Sequence, residues 1–145
     1  MKKRYIFGIM ILGLIFQTRL HAQDDNACMQ DLSIFAEYVK VKNYTAAFEP
    51  WTRVRQSCPN INVAVYTYGE RILKHYIKNG TPEEVEASKK DLIQLYDEWV
   101  QYFPAKKNKS TVGDVLSKKA QALLDYKIED LKVVYSTFDE AFVKD

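Results

Sequence analysis

Residues 42–61 read KNYTAAFEPWTRVRQSCPNI, and the spacing of the large and small side chains in this segment is that of a packed helix. Four residues follow one another at intervals of three, four and eight, namely Tyr44, Ala47, Trp51 and Pro59. Intervals of three and four place side chains on one helical face, so we predict a helix over residues 45–57. Pro59 closes this segment because proline cannot continue a helix.

Pro50 falls inside the predicted helix. An internal proline removes one backbone hydrogen bond and costs about 3 kcal/mol unless the helix begins near it. We therefore do not expect a regular first turn ahead of Pro50.

Five further segments of the chain have apolar residues at helical spacing. They cover residues 29–42, 62–78, 81–103, 112–125 and 130–143. The first has a face of Leu32, Phe35, Ala36 and Val39, and the last repeats Leu131, Val134, Tyr135, Phe138 and Phe142. No segment alternates strictly between apolar and polar residues, so strands are not expected. The sequence predicts an all-α fold of about six helices in three antiparallel pairs joined by short loops.

The sharpest local signal is Thr81-Pro82-Glu83-Glu84. A threonine before the helix, a proline at its first position and a glutamate three residues after the threonine together satisfy the free amides of a helix start. The helix opened by Thr81 should be long and end before Pro104.

The first 23 residues have the order of a secretory signal peptide. Lys2, Lys3 and Arg4 precede an eleven-residue apolar run, and a polar stretch then ends at Ala22 and Gln23. Eleven helical residues span only about 17 Å, which is too short for a stable membrane span. We therefore expect residues 1–23 to be removed and residues 24–145 to form one domain.

Removal of the leader changes the charge of the protein. The whole chain has 21 basic and 19 acidic residues, but four basic residues and no acidic residue lie in the leader. The remaining 17 basic and 19 acidic residues give a net charge of −2. Lys106, Lys107 and Lys109 form the one local basic cluster, which is too short to bind a phosphate backbone. Nucleic acid is not an expected partner.

Residues 29–59 resemble one unit of the tetratricopeptide repeat, a helix-turn-helix of about 34 residues. In that resemblance Ile34 and Tyr38 are packing knobs of the first helix, and Tyr44 is the aromatic residue of the turn. Ala47 is the small residue where two helices approach, and Trp51 fills the space beside it. Phe35 departs from the family pattern, which usually has a small residue there.

The second and third helix pairs resemble the same unit less closely. Residues 62–104 would have Gly69 as the close-contact residue and repeat the spacing of the second helix with Leu92, Tyr96, Trp99 and Pro104. The distance from Pro59 to Pro104 is 45 residues, so this unit carries an insertion of about eleven residues. The third pair has Leu131, Tyr135 and Phe138 at the matching spacing but no closing proline.

The resemblance implies a right-handed solenoid of helical hairpins that acts as a non-enzymatic protein interaction scaffold. The chain is also similar to exported tetratricopeptide proteins of Bacteroidetes-type bacteria, which implies a periplasmic or envelope location. The surface that would bind a protein or peptide partner is formed by Val39, Lys40, Tyr66, Glu70, Leu73 and Lys74. Tyr66 would be the anchor of this surface. The alternative is a structural amino-terminal module of a larger envelope protein, which would self-associate through its last helix pair when isolated.

Cys28 and Cys58 are the only cysteines. Export would place them in a compartment where disulfides persist. In an antiparallel hairpin the start of the first helix lies beside the end of the second, so we predict a bridge between them. Two unpaired thiols are the alternative. The spacing of the pair does not fit a zinc site.

The remaining reactive side chains lack the surroundings that chemistry needs. His75 is the only histidine outside the leader and has no recognisable nucleophile motif near it. The acidic pairs Glu83-Glu84 and Asp97-Glu98 are explained by a helix start and a solvated face. The isolated glycines form no phosphate-binding loop. We expect no enzymatic activity, metal or cofactor.

Overall fold

The computed structural model describes residues 26–104 and 112–144, in which all regular secondary structure is helical. The helices are α1 (residues 26–40), α2 (Tyr44–Ser57), α3 (Ala64–Asn79), α4 (Pro82–Tyr102), α5 (Val112–Asp125) and α6 (Leu131–Lys144). The all-α fold with six helices is confirmed. The predicted leader and the basic cluster of Lys106, Lys107 and Lys109 lie outside the described residues.

Each helix from α2 onward packs on the helix that follows it in the chain. Helices that are two apart also meet. Phe35 of α1 packs edge-on against Tyr68 of α3, with ring centroids 6.4 Å apart. Lys118 of α5 donates to Glu70 of α3 over 2.8 Å. The chain thus forms a layered stack in which local neighbours and next neighbours are both in contact.

Helix α2 begins six residues before Pro50, so the expectation of no regular first turn was wrong. The side chain of Asn43 accepts a hydrogen bond from the amide of Ala46, which caps the helix start. Ala47, Pro50 and Trp51 are all buried. Capping and burial of this face offset the hydrogen bond that proline removes.

Trp51 fixes the approach of α2 to α3. Its indole Nε1–H donates to the carbonyl oxygen of Val65 over 2.7 Å. A Cβ atom placed on Gly69 would lie 2.7 Å from that same Nε1, so no larger residue fits against the ring. Gly69 is therefore the close-contact residue of α3, as its resemblance to a repeat position implied.

In α1 the buried side chains are those of Cys28, Leu32, Phe35 and Val39. Ile34 and Tyr38, which were expected to be packing knobs, are instead each more than one-third exposed. The large Phe35 ring is fully buried and lies on the helix face that meets Tyr68. Helix α1 therefore turns the Phe35 face, and not the Ile34 and Tyr38 face, toward the core.

Helix α4 has the predicted capping box. The amide of Glu84 donates to the Thr81 hydroxyl, and the Glu84 carboxylate accepts from the Thr81 amide over 2.7 Å. Pro82 is the first helical residue, and the chain leaves the helix at Phe103, just before Pro104. This helix has 21 residues, so the prediction of a long helix that ends before Pro104 is confirmed.

Helix α6 packs on α5 with a different face from the one its apolar residues suggest. Val134, Thr137 and Ala141 are buried. Leu131 and Tyr135 are mostly exposed, although their spacing predicts core positions.

Cys28 and Cys58 lie at disulfide distance, with their alpha carbons 6.3 Å apart. This separation is within the range of about 4.4 to 6.8 Å that native bridges have. The pair joins the start of α1 to the residue that follows α2, as the hairpin geometry predicts. It closes the first helix pair at its open end.

Candidate functional site

An open groove of about 620 Å³ runs between α2 and α4. Helix α2 contributes Phe48, Trp51, Thr52, Arg55 and Gln56, and Pro59 follows its end. Helix α4 contributes Asp91, Gln94, Asp97, Glu98, Gln101 and Tyr102. The spacing of positions 91, 94, 98 and 101 places their polar side chains along one face of α4. We call this feature the α2/α4 groove.

Arg55 is the structural centre of the α2/α4 groove. Its Nε donates to Glu98 Oε2 over 2.7 Å, and its Nη1 donates to Asp91 Oδ1 over 2.7 Å. The guanidinium also lies 5.2 Å from the ring centroid of Trp51. Burial alone would lower the pKa of Arg55, but the hydrogen bonds and charges of Glu98 and Asp91 outweigh it and raise the pKa. Arg55 is therefore a permanent cation that fixes the two walls relative to each other.

Polar amides and partly exposed aromatic rings line the accessible part of the α2/α4 groove. Phe48 and Tyr102 are each 37% exposed. Gln56 and Gln101 are exposed, and their side-chain amides make no hydrogen bond to any residue of the described ranges. A primary amide offers both donors and an acceptor, which suits the backbone of an extended peptide. The arrangement can bind a polypeptide segment with a hydrophobic side chain beside Phe48 or Tyr102.

The acidic residues of the groove are mostly engaged with cations. Glu98 and Asp91 hold Arg55, and Asp97 accepts a hydrogen bond from Lys119 of α5 over 2.6 Å. Gln94 donates to Glu98 over 2.8 Å. These contacts hold the carboxylates in fixed positions, so the groove walls are set before any partner binds.

Four of the six predicted partner-binding residues are buried: Val39, Tyr66, Glu70 and Leu73. Tyr66, the predicted anchor, has no exposed surface. Its ring is stacked on Trp99 with centroids 6.1 Å apart, and its hydroxyl donates to the Pro59 carbonyl oxygen over 3.0 Å. Burial raises the pKa of Tyr66, with a smaller contribution from the negative charge of Glu98. The end of the long helix α4 covers this face, since Trp99, Tyr102 and Phe103 all pack on the Tyr66 ring.

The two predicted lysines are exposed, but each pairs with an acidic residue on its own helix. Lys40 binds Glu37 over 2.6 Å, and Lys74 binds Glu70 over 2.6 Å. Their exposed ammonium groups leave a role in partner binding as a prediction. The six residues do not form one continuous surface.

Glu70 is the meeting point of two lysines from different helices. Lys74 donates to one carboxylate oxygen, and Lys118 donates to the other over 2.8 Å. Burial would raise the pKa of Glu70, but these hydrogen bonds together outweigh it and lower the pKa. The buried Tyr96 hydroxyl lies beside the carboxylate without forming a regular hydrogen bond to any described residue. Burial, followed by the charge of Glu70, raises the pKa of Tyr96. Glu70 therefore joins α3 to α5 as a structural anion.

The groove residues Gln56, Gln101 and Arg55 were not predicted from the sequence. A partial signal exists in the polar face of α4, where Asp91, Gln94 and Glu98 recur at three and four. The signal does not indicate which helix that face meets. The pairing of Arg55 with Glu98 spans 43 residues of sequence and appears only when the helices are packed.

His75 lies near the end of α3, where its side chain contacts the start of α2. Its ring packs against Tyr44 with centroids 5.0 Å apart, and Asn79 donates to its backbone carbonyl oxygen. No group of three or more metal-ligating side chains occurs within the described ranges. In the same part of the chain, no helix combines the length and apolar character needed to cross a bilayer.

Comparisons of this chain with protein-family models, with curated proteins and with solved structures found no match. The α2/α4 groove and its charged walls therefore supply the functional argument.

Proposed function

We propose that the protein is a non-enzymatic interaction scaffold that binds an extended segment of a partner protein in the α2/α4 groove. The open groove, with free amides at Gln56 and Gln101 between the partly exposed rings of Phe48 and Tyr102, carries this proposal. Extended peptides bind through backbone hydrogen bonds for affinity and side-chain pockets for specificity. The α2/α4 groove offers both kinds of contact.

The proposed architecture is a right-handed, tetratricopeptide-like solenoid of three helical hairpins. Contacts between successive helices, and between helices two apart, support it because stacked hairpins bring each helix against both kinds of neighbour. The closeness of Gly69 to Trp51 supports it further, since such repeats place a small residue where two helices approach.

A location in the bacterial periplasm or cell envelope completes the proposal. Two features support it: the leader-like residues 1–23 and the pair of cysteines at disulfide distance. Disulfides persist in exported proteins and are rare in the cytosol.

The side chains that could act as acids or bases are each engaged in a structural contact, which supports the non-enzymatic part of the proposal. Glu84 caps α4, and Asp97 binds Lys119. His75 lies against Tyr44 with its side chain in contact with Asn79. Each group therefore has a structural partner that accounts for its position.

Site-specific photo-crosslinking in intact cells tests the groove. A photoreactive phenylalanine derivative replaces Gln101, which lines the groove, and the matched control places it at Glu86, an exposed residue of α4 outside the groove. We expect one reproducible partner protein, identified by mass spectrometry, to be crosslinked from position 101 and not from position 86.

Two outcomes would contradict the groove proposal. Equal crosslinking patterns from both positions would show that the groove confers no selectivity. Crosslinks from position 101 only to further copies of this chain would favour the structural-module alternative.

A further inference from the structure

Helix α6 exposes an apolar stripe on the side next to its contact with α5. Leu131, Tyr135 and Phe142 are 60%, 65% and 86% exposed, and the half-buried Phe138 lies between the last two. The buried residues of the helix, Val134, Thr137 and Ala141, lie about a quarter turn away around the axis. We call Leu131, Tyr135, Phe138 and Phe142 the α6 stripe.

The spacing within the α6 stripe is four, three and four residues. This is the repeat by which one helix packs lengthwise along another, with alternating intervals that average 3.5 residues. A lipid surface or an extended peptide does not require that alternation. The expected occupant of the α6 stripe is therefore a second helix.

The α6 stripe is complementary to its own reversed copy. When two α6 helices run antiparallel about a two-fold axis, Leu131 lies opposite Phe142 of the second copy. Tyr135 then lies opposite Phe138 of the second copy. Both layers pair one aromatic residue with another large apolar residue, so the seam has no polar gap.

The charges beside the α6 stripe follow the same symmetry. Lys132 and Asp139 are seven residues apart and flank the stripe on its outer side, and neither forms an ion pair with the described residues. In the antiparallel arrangement Lys132 lies within about one helical turn of Asp139 of the second copy. Because the arrangement has two-fold symmetry, the same ion pair occurs twice in the dimer. A parallel arrangement would instead place Lys132 of one copy and Asp139 of the other on opposite sides of the seam, where they cannot pair.

A depression at the end of the α6 stripe fits the same partner. An open space of about 410 Å³ is lined by Ser117 of α5 and by Phe138, Asp139, Ala141 and Phe142. Leu131 of the second copy would reach this space from its position opposite Phe142. We propose that two copies of this chain associate through antiparallel pairing of their α6 stripes.

The test uses purified protein and sedimentation velocity over about two decades of concentration. Helix α6 is only about 21 Å long, so we expect a reversible dimer that dissociates on dilution. Tyr135→Glu with Phe142→Glu should abolish the dimer while circular dichroism and the unfolding transition stay unchanged, because both side chains are exposed. Glu140→Lys, on the far side of the helix from the stripe, is the matched control and should leave the dimer intact.

A charge swap tests the antiparallel register itself. Lys132→Glu or Asp139→Lys alone should weaken the dimer about tenfold, because each converts two attractive pairs into two repulsive ones. The double variant should recover the affinity of the original protein. Carbodiimide crosslinking of a mixture of light and heavy isotope-labelled protein should link Lys132 of one copy to Asp139 of the other.

Several results would overturn the proposal. A monomer at all concentrations would show that the α6 stripe does not bind a second copy. Association that persists in the Tyr135→Glu and Phe142→Glu variant would place the interface elsewhere. Failure of the charge-swapped double variant to recover affinity would exclude the antiparallel register. Since the α6 stripe lies outside the α2/α4 groove, none of these results bears on partner binding in the groove.

Discussion

The first four helices and the last two bury different kinds of side chain. Helices α1–α4 interdigitate large rings, with Phe35, Trp51, Tyr66, Tyr96 and Trp99 all fully or almost fully buried. They are also joined by a cysteine pair and the Arg55 ion pairs. Helices α5 and α6 pack through smaller residues, among them Ala120, Ala122 and Ala141, while the large side chains of α6 face outward. The first region buries most of its large rings, whereas the second exposes the apolar surface that the proposed dimer would cover.

Replacement of one aromatic residue in each region tests this contrast most strongly. Trp51→Ala should lower the free energy of unfolding by about 3–5 kcal/mol, because it empties a packed site and removes the hydrogen bond to Val65. Phe142→Ala is the control and should change it by less than about 0.5 kcal/mol, since the ring is exposed. Urea unfolding at low protein concentration measures both. Similar losses for the two variants would remove the contrast.

Reduction of the cysteine pair should be nearly as damaging. Opening a bridge across 30 residues should lower the free energy of unfolding by about 3–4 kcal/mol if chain entropy dominates. Urea unfolding with and without reductant measures this loss, and the Cys28→Ser plus Cys58→Ser double variant should be insensitive to reductant.

Native-state hydrogen exchange adds a regional readout to the reduction experiment. Amides of the core helices α2 and α3 should exchange faster after reduction because they open only on global unfolding. Amides of α6 should change less if they open locally. Intact mass after alkylation without reduction checks the starting state, since uptake of alkylating reagent would reveal free thiols and contradict the bridge.

The next effect concerns two arginines two residues apart on α2. Arg55→Met should lower the free energy of unfolding by about 1–3 kcal/mol, because it leaves Asp91 and Glu98 without their cation in a partly buried site. Arg53→Met is the matched control. Arg53 is half exposed and binds Asp31 and Glu49 at the surface, so its loss should matter less. Thermal and urea unfolding rank the two variants, and an equal effect would mean that Arg55 does not connect the groove walls.

The positions of the helices were predictable from the sequence because their signals are local. The Thr81 cap and the prolines at 59 and 104 each act within a few residues of the helix end they determine. Pro50 misled the prediction because the burial that offsets its cost involves other helices, above all through Trp51 against Gly69. Local rules report the cost of an internal proline, but they do not report the tertiary packing that compensates for it.

The functional surface was less predictable, because exposure depends on which helix covers which face. Tyr66 was predicted to be exposed, but Trp99, Tyr102 and Phe103 at the end of α4 pack around its ring. The α6 stripe shows the opposite error. Leu131 and Tyr135 have the spacing of core residues, but their side chains are exposed to solvent. Periodicity identifies an apolar face, whereas the covering of that face is decided by helix rotation and by neighbours distant in sequence.

Glu70 connects the two regions and gives the smallest and most specific prediction. It was predicted to lie on the partner-binding surface, but its carboxylate binds Lys118 of α5 and Lys74. Because its folded pKa is lowered, its stabilising contribution is present above the unfolded pKa of about 4.3 and is lost as the pH falls through the folded pKa. Glu70→Gln should therefore lower the free energy of unfolding by about 1 kcal/mol at pH 7, with a difference that shrinks below about pH 4.

Urea unfolding from pH 7 down to pH 3 measures this difference between the original protein and Glu70→Gln. Lys118→Met supplies a second variant that keeps the carboxylate but removes the cation of α5. Its pH dependence should also be shallower, and its effect should not add to that of Glu70→Gln because both variants break one interaction. An unchanged pH slope in Glu70→Gln, or fully additive effects of the two substitutions, would mean that the contact between α3 and α5 does not depend on this carboxylate. The α5–α6 pair would then be joined to the first four helices by apolar packing and by the ion pair between Lys119 and Asp97.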